Sequence, residues 1–342
     1  MASLVQQHKE FIRRQSVYES KYKKMYYAWL LSVNNSAATA YANGSMAYDI
    51  QHAKLTAIYT KLYNDVTINE AEIQWNQFDD PKLKQQKDLI DVFASVFAPN
   101  TNDVPINLWR SLLSDFLTVR IAGRIAQVEQ TTRERISVLI ERGIASGLGA
   151  REVAKTIRDD KDFNKNRALT IARTETVTSA NQGKYMAALS SPYVKMKKWI
   201  AFADKRTRPT HLDFIDRPFV EMDQLFFLQN MKTGALESAR YPCDSTLSAG
   251  NSCNCRCIVV FENKKDANGR LIRKSVSSLK ALNNEKVFTT TLKAIDPNDG
   301  VLKEWTGDLI KASSEYEAKQ WCDKNGKGYL DINGEFIEEQ NY

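Results

Sequence analysis

With 342 residues, 38.9 kDa, 43% hydrophobic and 26% charged residues, the chain is too apolar for a disordered segment and long enough for two domains. No apolar run approaches the roughly 18 residues of a membrane-spanning helix, and the start, with His8, Lys9, Arg13 and Arg14, lacks the apolar core of a secretory signal, so folding in a cytoplasm is expected. The net charge of +7 is uneven: residues 281–342 hold seven Lys and Arg against twelve Asp and Glu, leaving +12 on the first 280, a body compatible with phosphate nearby.

In chain order, Tyr18, Tyr22, Tyr26, Trp29 and Val33 recur every three or four residues and predict one stripe of a long amphipathic helix. A second helix is expected over 37–63, with Tyr41, Tyr48, Leu55, Ile58, Tyr59 and Leu62 inward, and a third over 82–97, between Pro81 and Pro99. The longest should run from 105 to about 146, through Trp109, Leu113, Phe116, Ile125, Ile136 and Ile140, until Gly147 and Gly149 stop it. A short helix over 150–159 and one over 166–189 follow, the latter ending at Ser191-Pro192.

Beyond Pro192 the pattern shifts to strands. Residues 195–202 (KMKKWIAF) and 256–261 (RCIVVF) are short and rich in apolar or β-branched side chains, with a loop-rich stretch between them. Asn268-Gly269 suits a hairpin turn, and 329–337 with Asn333-Gly334 a terminal hairpin. The expected architecture is α+β: a helical, partner-binding region over 1–140, a small loop-rich β-containing domain over 141–262, and a basic linker with an acidic tail over 263–342.

Four sequence pieces stand in order. GIASGLGAREVAKTI (143–157) is a helix end, a glycine turn and a new helix; ARTETVTSAN (172–181) lies on the following helix. WIAFADKRTRPTHLDFID (199–216) and YPCDSTLSAGNSCNCRC (241–257) complete the set. With Arg173-Thr174-Glu175, Trp199, Asp204, Arg206, His211, Pro242, Asp244 and Asn254-Cys255-Arg256-Cys257, this succession resembles the phage Mu F-like family of minor head proteins over 143–261. Two departures stand out: Asp216 is followed by Arg217-Pro218 where the family commonly has Asp-Gly after the His, and Cys243 and Cys253 are additional to the usual pair.

The resemblance implies a non-enzymatic virion component, held in few copies at or near the portal vertex of the procapsid. It would assist head assembly, and packaging or ejection of DNA, with portal protein, other capsid components and double-stranded DNA as partners. It would assemble in the host cytoplasm, with no membrane partner.

The chemistry of these residues can be weighed independently. Arg173 and Glu175 lie two apart on a helix and cannot face each other, so Glu175 is expected to brace the helix against Arg206 or Arg256 in the β part. Cys243, Cys255, Cys257 and His211 could converge on a closed structural zinc site if the two strands are neighbours. The Cys-x-Cys spacing is tighter than the common Cys-x2-Cys, and a cluster of small buried thiols around a hydrogen-bonded His211 is the alternative. Lys195, Lys197, Lys198, Lys205, Arg206 and Arg208 form the densest basic run, a candidate face for DNA or an acidic portal surface, and 264–280 is a second. Two enzymatic alternatives remain: a zinc-dependent DNA-processing enzyme, or a head protein whose tail resembles ADP-ribosyltransferases through Glu315-Tyr316-Glu317 and the serines of 275–278.

Overall fold

The first helix, α1 (Leu4–Ala42), buries Phe11, Tyr22, Tyr26, Trp29, Leu30, Val33, Ala37 and Ala38, the predicted aromatic stripe extended at both ends. It stops where Gly44, at φ 77°, lets Gly44 N–H reach Tyr41 O and Ser45 N–H reach Ala40 O. The expected second helix over 37–63 is therefore two elements: the end of α1 and, after a bend, α2 (His52–Gln77). The indole N–H of Trp29 fixes that bend by donating to Ile50 O and Gln51 O.

The computed structural model describes residues 4–78, 106–117 and 122–274, together with the strands at 286–295, 302–312 and 328–330. The helix expected over 82–97 lies outside the described residues. The expected long helix is described as α3 (Ile106–Phe116) and α4 (Ala122–Ala145), and Gly147 at φ 71° closes the latter as anticipated. Then come α5 (Ala150–Asp159), started by Glu152 accepting from Gly149 N–H, and α6 (Lys161–Ser190).

Helix α6 is the spine. From Ile171 to Ser190 only Arg173 and Leu189 escape full burial, although the helix is rich in Thr, Ser, Asn and Gln. Many polar groups of this stretch are satisfied locally or by neighbours: Thr178 donates to Thr174 O, and Ser179 meets Thr67 Oγ1 on α2 at 2.7 Å. At Gly183 the two helices touch so closely that a Cβ would lie 2.1 Å from Thr67 O.

Strand β1 (Lys195–Ile200) pairs antiparallel with β5 (Ile258–Asn263) on one side and with β2 (Val220–Glu221) on the other, giving the order β2-β1-β5. The register sets Trp199 opposite Val259 and Lys195 opposite Asn263. The two predicted strands are thus neighbours. Between them lie α7 (Pro209–Leu212), a β3–β4 hairpin (Phe226–Gln229, Leu236–Ala239) that was not expected, and α8 (Ala249–Ser252). One core cluster of buried residues runs from Phe11 through the helices to Trp199, Cys255 and Val260.

Asn268-Gly269 does form a turn, with Gly269 at φ 77° and Lys265 bridged to Leu271. Lys274 then caps α6 by donating to Ala188 O and Leu189 O, so the described part of the second basic run is partly structural. In the tail, β6 (Lys286–Ile295) pairs antiparallel with β7 (Leu302–Ala312) and β8 (Gly328–Leu330), a sheet not expected from the sequence. Of the terminal hairpin over 329–337 only the part within β8 is described. The serines of 275–278 and Glu315-Tyr316-Glu317 fall outside the described residues. No described helix is long and apolar enough to cross a membrane.

A candidate metal centre where helix, loop and sheet meet

The turn before β5 carries Asn254-Cys255-Arg256-Cys257, and α7 carries His211. Asn254 takes the left-handed region at φ 55° and donates its N–H to Thr174 Oγ1 on α6. Asn181, about two turns further along α6, donates to Pro242 O and Cys257 O and accepts from Val259 N–H. The Arg-Thr-Glu helix therefore docks on the Asn-Cys-Arg-Cys strand as expected, but through Thr174 and Asn181.

Arg173 and Glu175 point elsewhere. Arg173 Nε donates to Glu19 on α1 at 3.2 Å. Glu175, buried, accepts from Arg124 on α4 at 2.9 Å and from Tyr63 on α2 at 2.8 Å. The expected brace to Arg206 or Arg256 is thus corrected: Glu175 ties helix to helix, reaching Tyr63 on α2 and Arg124 on α4. Burial opposes the Arg124 charge, yet Glu175 beside it outweighs that and holds its pKa above the usual guanidinium value.

Trp199 is buried, stacked on Phe214 at 4.8 Å and edge-on to His211 and Phe226. Asp204 accepts both Arg256 Nη2 contacts at 2.7 Å and orders its own turn by accepting from Arg206 N–H and Thr207. The Arg256 hydrogen bond leads in pulling its carboxyl down to about 2. Asp244 is fully buried and gripped by Arg240 through Nε and Nη2 at 2.8 and 3.1 Å. Burial opposes the Arg240 charge, and Asp244 overcomes it. These partners, with Tyr63 and Arg124, were missed at sequence level.

His211, Cys255 and Cys257 are buried with their ligand atoms all within 4.8 Å of one another. His211 Nδ1 lies 3.7 Å from Cys255 Sγ and 3.5 Å from Cys257 Sγ. A tetrahedral zinc with Zn–N near 2.0–2.1 Å and Zn–S near 2.3 Å would separate nitrogen from sulfur by about 3.6 Å, so three corners fit. Hydrogen bonds from Cys243 and Cys257 pull Cys255 well below the usual thiol range. Burial, then Cys255, pushes Cys243 up, and the hydrogen bond to Cys255, then burial, pushes Cys257 up. Buried thiols converging on an imidazole are a donor set that a zinc ion would complete.

Cys243 departs from the four-ligand expectation. It is buried at φ 61° with Sγ 3.6 Å from Ser252 O, beside Cys255 but outside the mutually close trio. It must swing to supply the fourth corner. The Nε2 of His211 is buried without a hydrogen-bond partner among the described residues, so packing on Trp199, rather than an acceptor, sets the ring's orientation.

The basic run divides. Lys195 and Lys197 are 1% and 0% exposed, so the expectation that they meet DNA or a portal is corrected: the strand's alternation turns both inward. Lys195 donates to Asn263 at 2.6 Å and lies 3.9 Å over the Phe78 ring. Lys197 Nζ has no hydrogen-bond partner among the described residues and lies 5.1 Å from Phe226 and 5.5 Å from Tyr185. Lys205 and Arg206 are exposed, Lys198 is half-buried, and Arg208 is half-buried and donates to Cys253 O.

Burial, with Arg240 nearby, pushes Lys197 from 10.5 down to about 8. The unfolded chain keeps the ordinary value, so below pH 8 the fold holds an ammonium that it disfavours, and stability should rise as pH climbs from 8 towards 10.5. Lys197→Met is expected to stabilise the protein by about 1–3 kcal/mol at pH 7 and to flatten that rise. Thermal denaturation at pH 7 and 9.5 checks both; an unchanged or lowered Tm at pH 7 would show the ammonium to be well accommodated.

Comparison with known proteins covers this same unit. Residues 134–260 match the family described as phage Mu protein F like protein. The uncharacterized protein YqbB of Bacillus subtilis (strain 168) is 28% identical over 130 residues, 37% of this chain and 41% of that protein. The NAD(+)-arginine ADP-ribosyltransferase EFV of Enterococcus faecalis (strain ATCC 700802 / V583) is 28% identical over 144 residues, 41% of this chain and 28% of that protein. Each alignment spans under half of the relative's own length. No solved structure matches the chain. The phage Mu F-like assignment suggested by the four motifs holds for this stretch.

Proposed function

We propose, from the phage Mu F-like domain that this chain carries, that the protein is a phage minor head protein acting in head morphogenesis. The family match over 134–260 is the observation that carries the reading. The protein would join the assembling procapsid in the host cytoplasm, at or near the portal vertex, and stay in the virion head. Capsid components and the portal would be its protein partners. Lys198, Lys205, Arg206 and Arg208, the members of the basic run outside the core, offer charge to DNA during packaging or ejection, or to an acidic portal face.

We keep the division into a partner-binding helical region over 1–140, the Mu F-like domain over 141–262 and a tail over 263–342 as part of this proposal. A structural zinc held by His211, Cys255 and Cys257, with Cys243 as fourth ligand, belongs to it as well; the nitrogen–sulfur spacings support that reading. We read the chain as non-enzymatic. Glu175 is taken up by Arg124 and Tyr63, and Asp204 by Arg256, so neither carboxylate is free to serve as a base.

Sedimentation of lysates from infected or induced cells tests the proposal. The protein is expected to travel with procapsids and mature heads and to stay with them through a salt wash. Recovery only in the slow, particle-free fractions would overturn it. Transfer of label from NAD to protein by the purified chain would instead favour the activity for which the Enterococcus relative is named.

A further inference from the structure

We propose that the metal centre regulates an N-terminal arm: loss of the metal from His211, Cys255 and Cys257 frees the first turns of α1 from the body. The inference rests on the metal reading above.

Arg256 stands between the two cysteine ligands and is not itself a ligand. Its main-chain carbonyl accepts the Nε2–H of His8 on α1 at 3.0 Å. Its guanidinium holds Asp204 at 2.7 Å, ordering the loop that begins at Phe202, and the Phe202 ring stacks on His8 at 4.2 Å and 20°. Both faces of the His8 contact therefore depend on where Arg256 sits. Arg256 in turn sits where the Cys255–Cys257 turn places it, and Asn254 at its start is held in the left-handed region.

Among the described residues 4–10, His8 alone is buried, while Leu4 and Val5 are 36% and 52% exposed; the next anchor is Phe11. A metal that draws two thiolates and an imidazole to one point fixes the turn far more firmly than two thiols and an imidazole in mutual contact can. Without it, Cys255 and Cys257 relax, Arg256 shifts, and His8 loses its acceptor and its stacking partner together. What the freed arm would expose is the underside of α1's first turns and the Arg256 side of the centre.

Hydrogen exchange read by mass spectrometry on the full chain tests this, in samples loaded with zinc, stripped by a chelator under reducing conditions, and reloaded. Metal content is measured on the same samples. Stripping should speed exchange of the amides in residues 8–14 by about tenfold or more, leave 55–66 of α2 protected, and be reversed by reloading. His8→Ala should show the same local gain with zinc still bound. Equal exchange in 8–14 with and without zinc, an equal rise across α2, or a His8→Ala variant indistinguishable from the parent would each overturn the arm. A chain that takes up no zinc would overturn the metal reading itself, and the metal measurement separates that failure from the others.

Discussion

Replacing Gly183 by Ala should destabilise the fold by about 3 kcal/mol or more, despite the higher helix propensity of alanine, which favours the change by about 1 kcal/mol. The added Cβ would lie 2.1 Å from Thr67 O and 3.0 Å from Ala71 N. Both are backbone atoms of α2, so relief requires α2 and α6 to move apart. That separation would also pull Ser179 from Thr67 and loosen the tyrosines that α2 lays against α1. Urea unfolding followed by far-UV circular dichroism reads the loss as a lowered midpoint. A neutral or stabilising outcome would contradict close backbone contact between α2 and α6 at this position.

The second large effect concerns a charge. Glu175→Gln should cost about 3–5 kcal/mol, because Arg124 would be left buried without its counter-ion. Arg124 has few alternatives: its side chain is 13% exposed, and its raised pKa keeps it charged at any working pH. Removing both charges with Glu175→Gln and Arg124→Met should recover most of the loss, since the fold then no longer holds an uncompensated ion. A single substitution costing under about 1 kcal/mol would show that solvent reaches Arg124 and screens it.

These two positions also mark where sequence reasoning succeeded and where it failed. The stripe of α1 was legible because Tyr22, Tyr26, Trp29 and Val33 are apolar, large and spaced for one helical face. Helix α6 was legible as a helix but not as the spine, because it is buried on all sides while carrying Thr174, Thr176, Thr178, Ser179 and Asn181. Hydrophobic periodicity cannot flag a helix whose buried face is polar and satisfied by hydrogen bonds. The β3–β4 hairpin escaped notice because LESA lacks the β-branched residues that mark a strand.

At the site, the convergence of His211, Cys255 and Cys257 was legible because the two strands that position them read as strands and metal-ligand types are few. The partners of Glu175 were not. Tyr63 and Arg124 lie 112 and 51 residues away on other helices, and no local pattern connects them. Lys195 and Lys197 misled for a different reason. KMKK looks like solvated charge, and lysine is rarely buried fully, yet the two-residue alternation that buries Trp199 must bury both lysines with it.

Both the proposed structural zinc and the release of the α1 arm require the Cys-x-Cys loop and His211 to form one metal centre at the junction of α6, α1 and the small sheet. Metal analysis of the purified chain, isolated under reducing conditions, addresses it without reference to activity. About one zinc per chain is expected, falling to background when Cys255 or Cys257 is changed to Ser and retained when the more exposed Cys253 is changed. Zinc at background in the unaltered chain, with no uptake on titration, would contradict it and leave the cluster as buried thiols around a histidine.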